Sequence, residues 1–244
     1  MPTTKADIIA QLQKEILPLQ GYKPVVGAGA IDFGLGPIRY AFPNHSFPLG
    51  AMHEFIYMQP EQASATSGFI AGILSSLMRR GGVSLWISSS RLLFPPALKA
   101  FDINPDKIIF IDLQREKDIL WAMEEALKCE SLSCVIGEIP ELDFTISRRL
   151  QLVVEKSRVT GFIIRRNPRR LNTTASITRW MITSLPSLLP NDMPGVGFPR
   201  WNIELQKIRN GKPGTWQVEW SAGRFQPVHT HIATVPQQPI RKIG

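Results

Sequence analysis

The sequence predicts an α/β fold with a mostly parallel central sheet, an N-terminal helix before it and a C-terminal β-hairpin after it. Three observations carry that prediction. Between Met52 and Ile164, short apolar runs alternate with longer segments whose apolar residues recur every three or four positions. That is the pattern of strands buried on both faces and covered by helices. The first such unit joins a strand to a helix through a loop of small residues, Gln59 to Ser67. Later the period changes to two: Trp201, Ile203 and Leu205, then Trp216, Val218 and Trp220, flank the turn Asn210-Gly211-Lys212-Pro213-Gly214. A hairpin with one buried face follows from that alternation.

In chain order, Thr4 and Asp7 form a capping box, and Ile8, Ile9, Leu12, Ile16 and Leu17 recur at helical spacing. Residues 1–24 are therefore expected to be a helix and linker. Gly21 to Gly50, rich in Gly and Pro, reads as a connector with short extended pieces. The α/β core is assigned to residues 25–190. Its first strand is Glu54–Tyr57. Phe69, Ile70, Ile73, Leu74, Leu77 and Met78 then share one helical face, closed by Arg79, Arg80 and Gly81. Val83–Ser88 is a strand, Pro95 opens a short helix, and Ile108–Asp112 is the next strand. Ile119, Leu120, Met123 and Leu127 mark a helix, Leu132–Ile136 a strand, Phe144–Arg158 a helix and Gly161–Ile164 a strand. Ile177–Thr183 is extended, and Pro186–Pro199 is a Pro-rich connector. The hairpin unit spans 191–228, joined to the core, and residues 229–244 form a flexible tail.

The bulk numbers fit a soluble domain. The 244 residues, 43% hydrophobic and 20% charged, suit one large α/β domain or a core with a small appendage. No apolar run reaches the roughly 18 residues of a membrane span. The N-terminus lacks the basic start and apolar run of a signal peptide. A cytoplasmic protein that does not enter membranes is expected. Two cysteines, Cys129 and Cys134, are too few for a disulfide framework. They have no histidine beside them for zinc, and His229 and His231 in the tail have no other ligand near them. Charge is unevenly placed. Residues 1–140 carry 12 Lys and Arg against 14 Asp and Glu, residues 141–244 carry 16 against 6, and the whole chain is +8. A basic second half points to a polyanion partner, nucleic acid before membrane.

The small-residue loop stands where a nucleoside-triphosphate enzyme holds phosphate. That chemistry needs glycines whose N–H groups wrap phosphate oxygens, a lysine for the β- and γ-phosphates, and a Ser or Thr for Mg²⁺. Here the loop contains Gln59, Glu61, Ser64, Thr66 and Ser67. Thr66 falls where the lysine belongs and Ser67 at the magnesium position, and both glycines are missing. The next strand ends in Ser88-Ser89-Ser90, without a glutamate to activate water. Glu138 alone remains as an acidic residue at a strand end. No ATP hydrolysis, and no nucleotide or metal cofactor, is expected.

Several segments resemble one family. Phe47-Pro48-Leu49-Gly50-Ala51-Met52-His53-Glu54-Phe55 is similar to the start of a RecA core and, more closely, to ImuA, the RecA-like accessory protein of the bacterial mutagenesis cassette, sometimes called SulA-like. Leu85-Trp86-Ile87, Leu120 through Leu127, Ser147 through Leu152, Thr178-Arg179-Trp180, and the stretches Pro194–Trp201 and Gly214–Trp220 fit the same family. The resemblance covers about residues 25 to 225. It implies a RecA-like P-loop NTPase core acting, after DNA damage, beside an ImuB-type inactive Y-family polymerase relative and a DnaE-type error-prone polymerase in translesion synthesis. Single-stranded DNA, RecA and further copies of the chain are the other partners it brings. An active filament-forming ATPase and a SulA-like division inhibitor are the alternatives.

The arginines are weighed beside that resemblance. Arg148 and Arg149 lie on the outer face of their helix. Arg165, Arg166, Arg169 and Arg170 cluster where a core strand ends, the end at which parallel sheets bind ligands. In RecA-like proteins the segment after this strand meets single-stranded DNA. The cluster is the candidate DNA contact, with an acidic protein surface as the rival. Arg179 and Trp180 offer a phosphate contact and a stacking ring, or a tryptophan packed under the sheet. Phe33 matches in position the part through which RecA subunits join, and is either a self-association anchor or part of its own core.

Overall fold

A computed structural model describes residues 33–79, 81–187, 189 and 196–228. The expected N-terminal helix, Arg80, the tail and His229 and His231 lie outside these residues. The remaining elements are β1 (Met52–Tyr57), α1 (Gln62–Met78), β2 (Val83–Ser88), β3 (Ile108–Asp112), α2 (Glu116–Leu127) and β4 (Leu132–Glu138). They continue with α3 (Phe144–Ser157), β5 (Thr160–Arg166), β6 (Thr178–Leu185), β7 (Arg200–Ile208), β8 (Gly214–Ser221) and β9 (Arg224–Pro227). The strands form one sheet in the order β3-β2-β4-β5-β1-β6-β7-β8-β9. From β3 to β6 all neighbours are parallel, and from β6 to β9 all are antiparallel.

Burial explains the apolar runs. Every residue of β1 is buried, because helices cover both faces of the parallel half. On one face α1 packs with Phe55, Phe162, Trp180 and the hairpin residues Trp201, Ile203 and Trp220. On the other, α2 and α3 bury Met123, Leu127, Leu150 and Val154 against Met52, Val135 and Ile163. Gly72 lets α1 sit close to the hairpin, since a Cβ there would run into the rings of Phe225 and Trp220. Among the described residues the antiparallel half is covered on one face only. Its other face carries Asn202, Glu204 and Gln217, which accounts for the period of two.

Two regions depart from the expected pattern. Residues 36–45 are not extended: they form 3₁₀ turns at Gly36–Ala41 and Pro43–His45, each opened by a proline. Phe33, Leu35, Ile38, Phe42 and Phe47 enter the core from this segment. Phe33 is 3% exposed, with its ring 5.0 Å from that of Phe47. It fills its own core and presents no surface for self-association. The second departure is β9, which pairs with β8 through a tight turn at Ala222 (φ 51°) and Gly223 (φ 69°). Its edge donates Phe225 N–H to Gly34 O (2.9 Å), which ties the 3₁₀ segment to the hairpin.

His53 pins the same segment to β1. One ring nitrogen is 2.8 Å from Thr178 Oγ1, the other 2.8 Å from Pro48 O, and the ring stacks on Phe47. Burial lowers its pKa to about 3. The unfolded chain takes up this proton near pH 6.5, so the histidine contributes stability above that pH and loses it as pH falls toward 3. Urea unfolding between pH 7 and 4 is predicted to show stability falling by up to about 1.4 kcal/mol per pH unit from this group. His53→Gln flattens that limb.

Candidate functional site

The loop between β1 and α1 is short and closed by its own helix. After Tyr57 only Met58, Gln59, Pro60 and Glu61 precede Gln62, where α1 begins. Gln62 Oε1 accepts hydrogen bonds from Met58 N (2.8 Å) and Gln59 N (3.2 Å). The N–H groups that a phosphate loop would offer an anion are thereby occupied from within. Pro60 has no N–H to offer, and Ala63 N donates to Pro60 O. Gln59 and Glu61 point to solvent, whereas Ser64 and Ser67 face a cleft of about 360 Å³. Thr66 is wholly buried in the helix, and its hydroxyl has no partner among the described residues. The lysine position thus faces the core instead of the loop, because the helix starts a turn before it.

Glu138 ends β4 at the edge of this cleft and accepts a hydrogen bond from Trp86 Nε1 (3.0 Å). Burial raises its pKa, opposed by that hydrogen bond and by nearby Arg166. Tyr57, paired across the sheet with Arg166, also has its pKa raised, first by burial and then by Glu138. Among the described residues no group of three His, Cys, Asp or Glu is arranged to hold a metal.

The arginine segment is built around a carboxylate that the sequence did not single out. Glu54, in the middle of β1, is fully buried. Its Oε1 accepts from Arg165 Nη1 (2.7 Å), and its Oε2 from Arg179 Nε (2.9 Å) and Thr174 Oγ1 (2.8 Å). Arg165 has no exposed surface; it also donates to Pro140 O and Arg170 O. Arg179 donates to Asn172 O (2.6 Å). The loop 167–177 is held further by Lys207 Nζ on Thr174 O (2.6 Å), Arg209 Nη2 on Ala175 O and Ala175 N on Ser147 Oγ. Burial, then the Arg179 charge, lowers the Lys207 pKa.

The expected cluster therefore divides. Arg165 and Trp180 are buried and removed from any DNA surface: Arg165 neutralises Glu54, and Trp180 packs between Phe55 and Phe69. Arg179 serves mainly as the second partner of Glu54, its side chain 13% exposed. Arg166, Arg169 and Arg170 are exposed. Arg148 and Arg149 pair with Glu155 and Glu124 on the outer helices, as a solvated face would. A charged residue within the apolar run of β1 was the available signal for Glu54, since buried carboxylates are nearly always paired. Gln62, four residues beyond Met58, had no comparable signal.

The chain is 32% identical to Protein ImuA of Caulobacter vibrioides (strain NA1000 / CB15N) over 201 residues, covering 78% of this chain and 82% of that protein. This chain belongs to the ImuA family. No family model matches it. The cell division inhibitor SulA of Yersinia pestis (strain Pestoides F) is 26% identical over 129 residues, covering 53% of this chain and 74% of SulA. Among solved structures, the RadB recombinase superimposes with a TM-score of 0.57 at 12% identity, over 82% of this chain and all of that one. The fold of this ImuA-family chain is accordingly RecA-like. Among its described residues no helix is long and apolar enough to cross a membrane.

Glu54→Gln is predicted to cost about 3–5 kcal/mol in urea unfolding, because it leaves the buried Arg165 without its carboxylate. Arg165→Met is predicted to cost less, because Glu54 keeps Arg179 and Thr174. Amide exchange of residues 169–176 accelerates in both variants, before the rest of the sheet opens.

Proposed function

We propose that this chain is a non-catalytic RecA-like accessory protein of SOS-induced mutagenic translesion synthesis, binding single-stranded DNA and an ImuB-type partner beside a DnaE-type polymerase. The observation that carries the reading is the held loop 167–177. Its backbone is fixed by hydrogen bonds from the buried Arg165 and from Arg179, while Arg166, Arg169 and Arg170 are exposed at and just beyond the carboxyl end of β5, with no salt bridge among the described residues. A polyanion that meets a preformed set of cations loses little loop entropy on binding. The capped loop, the inward Thr66 and the lack of a lysine support the absence of ATP hydrolysis. Family membership supports the setting among damage-tolerance proteins in the cytoplasm, near the nucleoid.

A division-inhibitor reading draws on the SulA match, which spans 53% of this chain. It gives the exposed arginines no particular role, and the adaptor reading is preferred on that ground.

Changing Arg166, Arg169 and Arg170 together to Gln, with Arg165 left in place, is predicted to lower the salt dependence of single-strand binding by about 0.7 in slope per lost phosphate contact, about 2 in total. Fluorescence anisotropy of a labelled oligonucleotide across salt concentrations measures it. An unchanged slope in the folded triple variant rejects this surface.

A further inference from the structure

The turn between β7 and β8 stands at the far end of the held loop from Arg166. Arg166 pairs with Tyr57 at the carboxyl end of β1, whereas Ile177 N, where the loop ends, donates to Met52 O at the amino end. The turn, residues 209–213, adjoins that second end: Arg209 N donates to Ile177 O, and Arg209 Nη2 reaches Ala175 O. Met52 and Tyr57 are five residue rises apart, or about 17 Å along the strand. The 3₁₀ segment lies against the same turn. Lys212 N donates to Ala41 O (2.9 Å), and a Cβ at Gly211 would run into that carbonyl.

These two segments, adjacent in space, are basic in sequence. Residues 33–53 and 205–218 contain no Asp or Glu, and carry Arg39, Lys207, Arg209 and Lys212. Lys212 is exposed in the turn. Burial, then the Arg179 charge, lowers the Lys207 pKa, and Arg209 adds to this while Glu54 opposes it. Cations here crowd one another, which an anion relieves.

Beside Ala41 stands an exposed ring. Tyr40 is 57% exposed, yet its pose is fixed from two sides. Arg39 Cζ lies 4.8 Å from the ring centroid, and Arg39 Nη2 donates to the Tyr40 hydroxyl (2.7 Å). The His45 ring meets that of Tyr40 at 5.1 Å and 72°. His45 is placed there by left-handed backbone at Asn44 (φ 55°) and at His45 itself (φ 54°). That conformation is uncommon in residues with side chains and is enriched at ligand clamps. Ile38 and Ala41, both buried, anchor the turn that carries the ring.

We infer that Tyr40 is a base-stacking platform for the single strand that the arginine loop binds, with Lys212 on a neighbouring phosphate. This rests on the DNA-binding reading above and adds a contact at the opposite end of β1. A flat ring held in solvent among cations meets a base and its phosphate together. An acidic protein surface would satisfy the cations and leave the ring without a partner. A duplex keeps its base faces within its own stack. At the roughly 3.4 Å spacing of one stacked strand, about five nucleotides bridge the interval between Arg166 and the turn.

The test is fluorescence anisotropy with the full chain, a labelled single-stranded oligothymidylate and an abasic strand of equal length. Tyr40→Ala is expected to weaken binding to the thymidylate strand at least about fivefold, the loss of one stacked base. Its salt slope is unchanged, and its affinity for the abasic strand equals that of the wild type. Tyr40→Phe, which keeps the ring, binds as the wild type does. Lys212→Gln lowers the salt slope by about 0.7, the loss of one phosphate contact. The inference is overturned if Tyr40→Ala binds the thymidylate strand as the wild type does, or weakens binding to both strands equally. Either result leaves the arginine-loop reading intact, because that reading is judged by the slope of the triple arginine variant. Equal wild-type affinity for a blunt duplex or for polyglutamate also overturns the inference, and no wild-type binding to any strand rejects both readings.

Discussion

One buried carboxylate holds the end of β5, the start of β6 and the loop between them together. Glu54 lies in a strand with no exposed residue and is shared by two arginines and a threonine from β5, β6 and the loop between them. Removing these charges from water costs several kcal/mol each, and only close, multiple hydrogen bonds offset that cost. Such bonds exist here because the parallel register sets Ile56 opposite Arg165 and Glu54 opposite Arg179, with all their side chains on one face. The same guanidinium groups reach on to the carbonyls of Pro140, Arg170 and Asn172. A loop with little apolar content of its own is thereby given a fixed shape.

That arrangement separates two tasks that a run of arginines would otherwise blur. Arg165 and Arg179 are structural: both pair with Glu54, and Arg165 also lies 3.9 Å from Glu141. Arg166, Arg169 and Arg170 remain in solvent, where repulsion between them is tolerable through water screening and is relieved by an anion. On the other face of β1, Gln62 performs a comparable closure, satisfying the N–H groups of the phosphate-loop position. On the function proposed above, the closed loop after β1 and the held loop after β5 belong to a scaffold more than to a motor.

Much of the fold was legible because burial on both faces writes itself into the sequence as continuous apolar runs. β2 and β3 begin and end where the runs Val83–Ser88 and Ile108–Asp112 do. The segment 33–47 was not legible, because Gly and Pro there encode 3₁₀ turns packed on the hairpin, and the packing is between residues distant in sequence. β9, four residues long after an Ala-Gly turn, carries too short an alternation to stand out. At the site, sequence reading grouped Arg165, Arg166, Arg169 and Arg170 without telling the buried one from the exposed three. Which of two adjacent arginines points inward depends on strand register, and Arg165 and Arg166 differ in nothing else. Trp180 was open between a stacking platform and the core; contact with Phe55, Phe69 and Phe42 places it in the core.

DNA engagement without nucleotide is the proposed role of this RecA-like chain. Its most direct test is the affinity of the purified full chain for a labelled single-stranded oligonucleotide at fixed salt, measured with and without ATP and Mg²⁺. The same affinity is expected in both conditions, since the loop that would read ATP is occupied by Gln62 and the loop that would meet DNA is already held through Glu54. Binding that appears only with ATP would contradict it and make the chain a working nucleotide-dependent member of the fold.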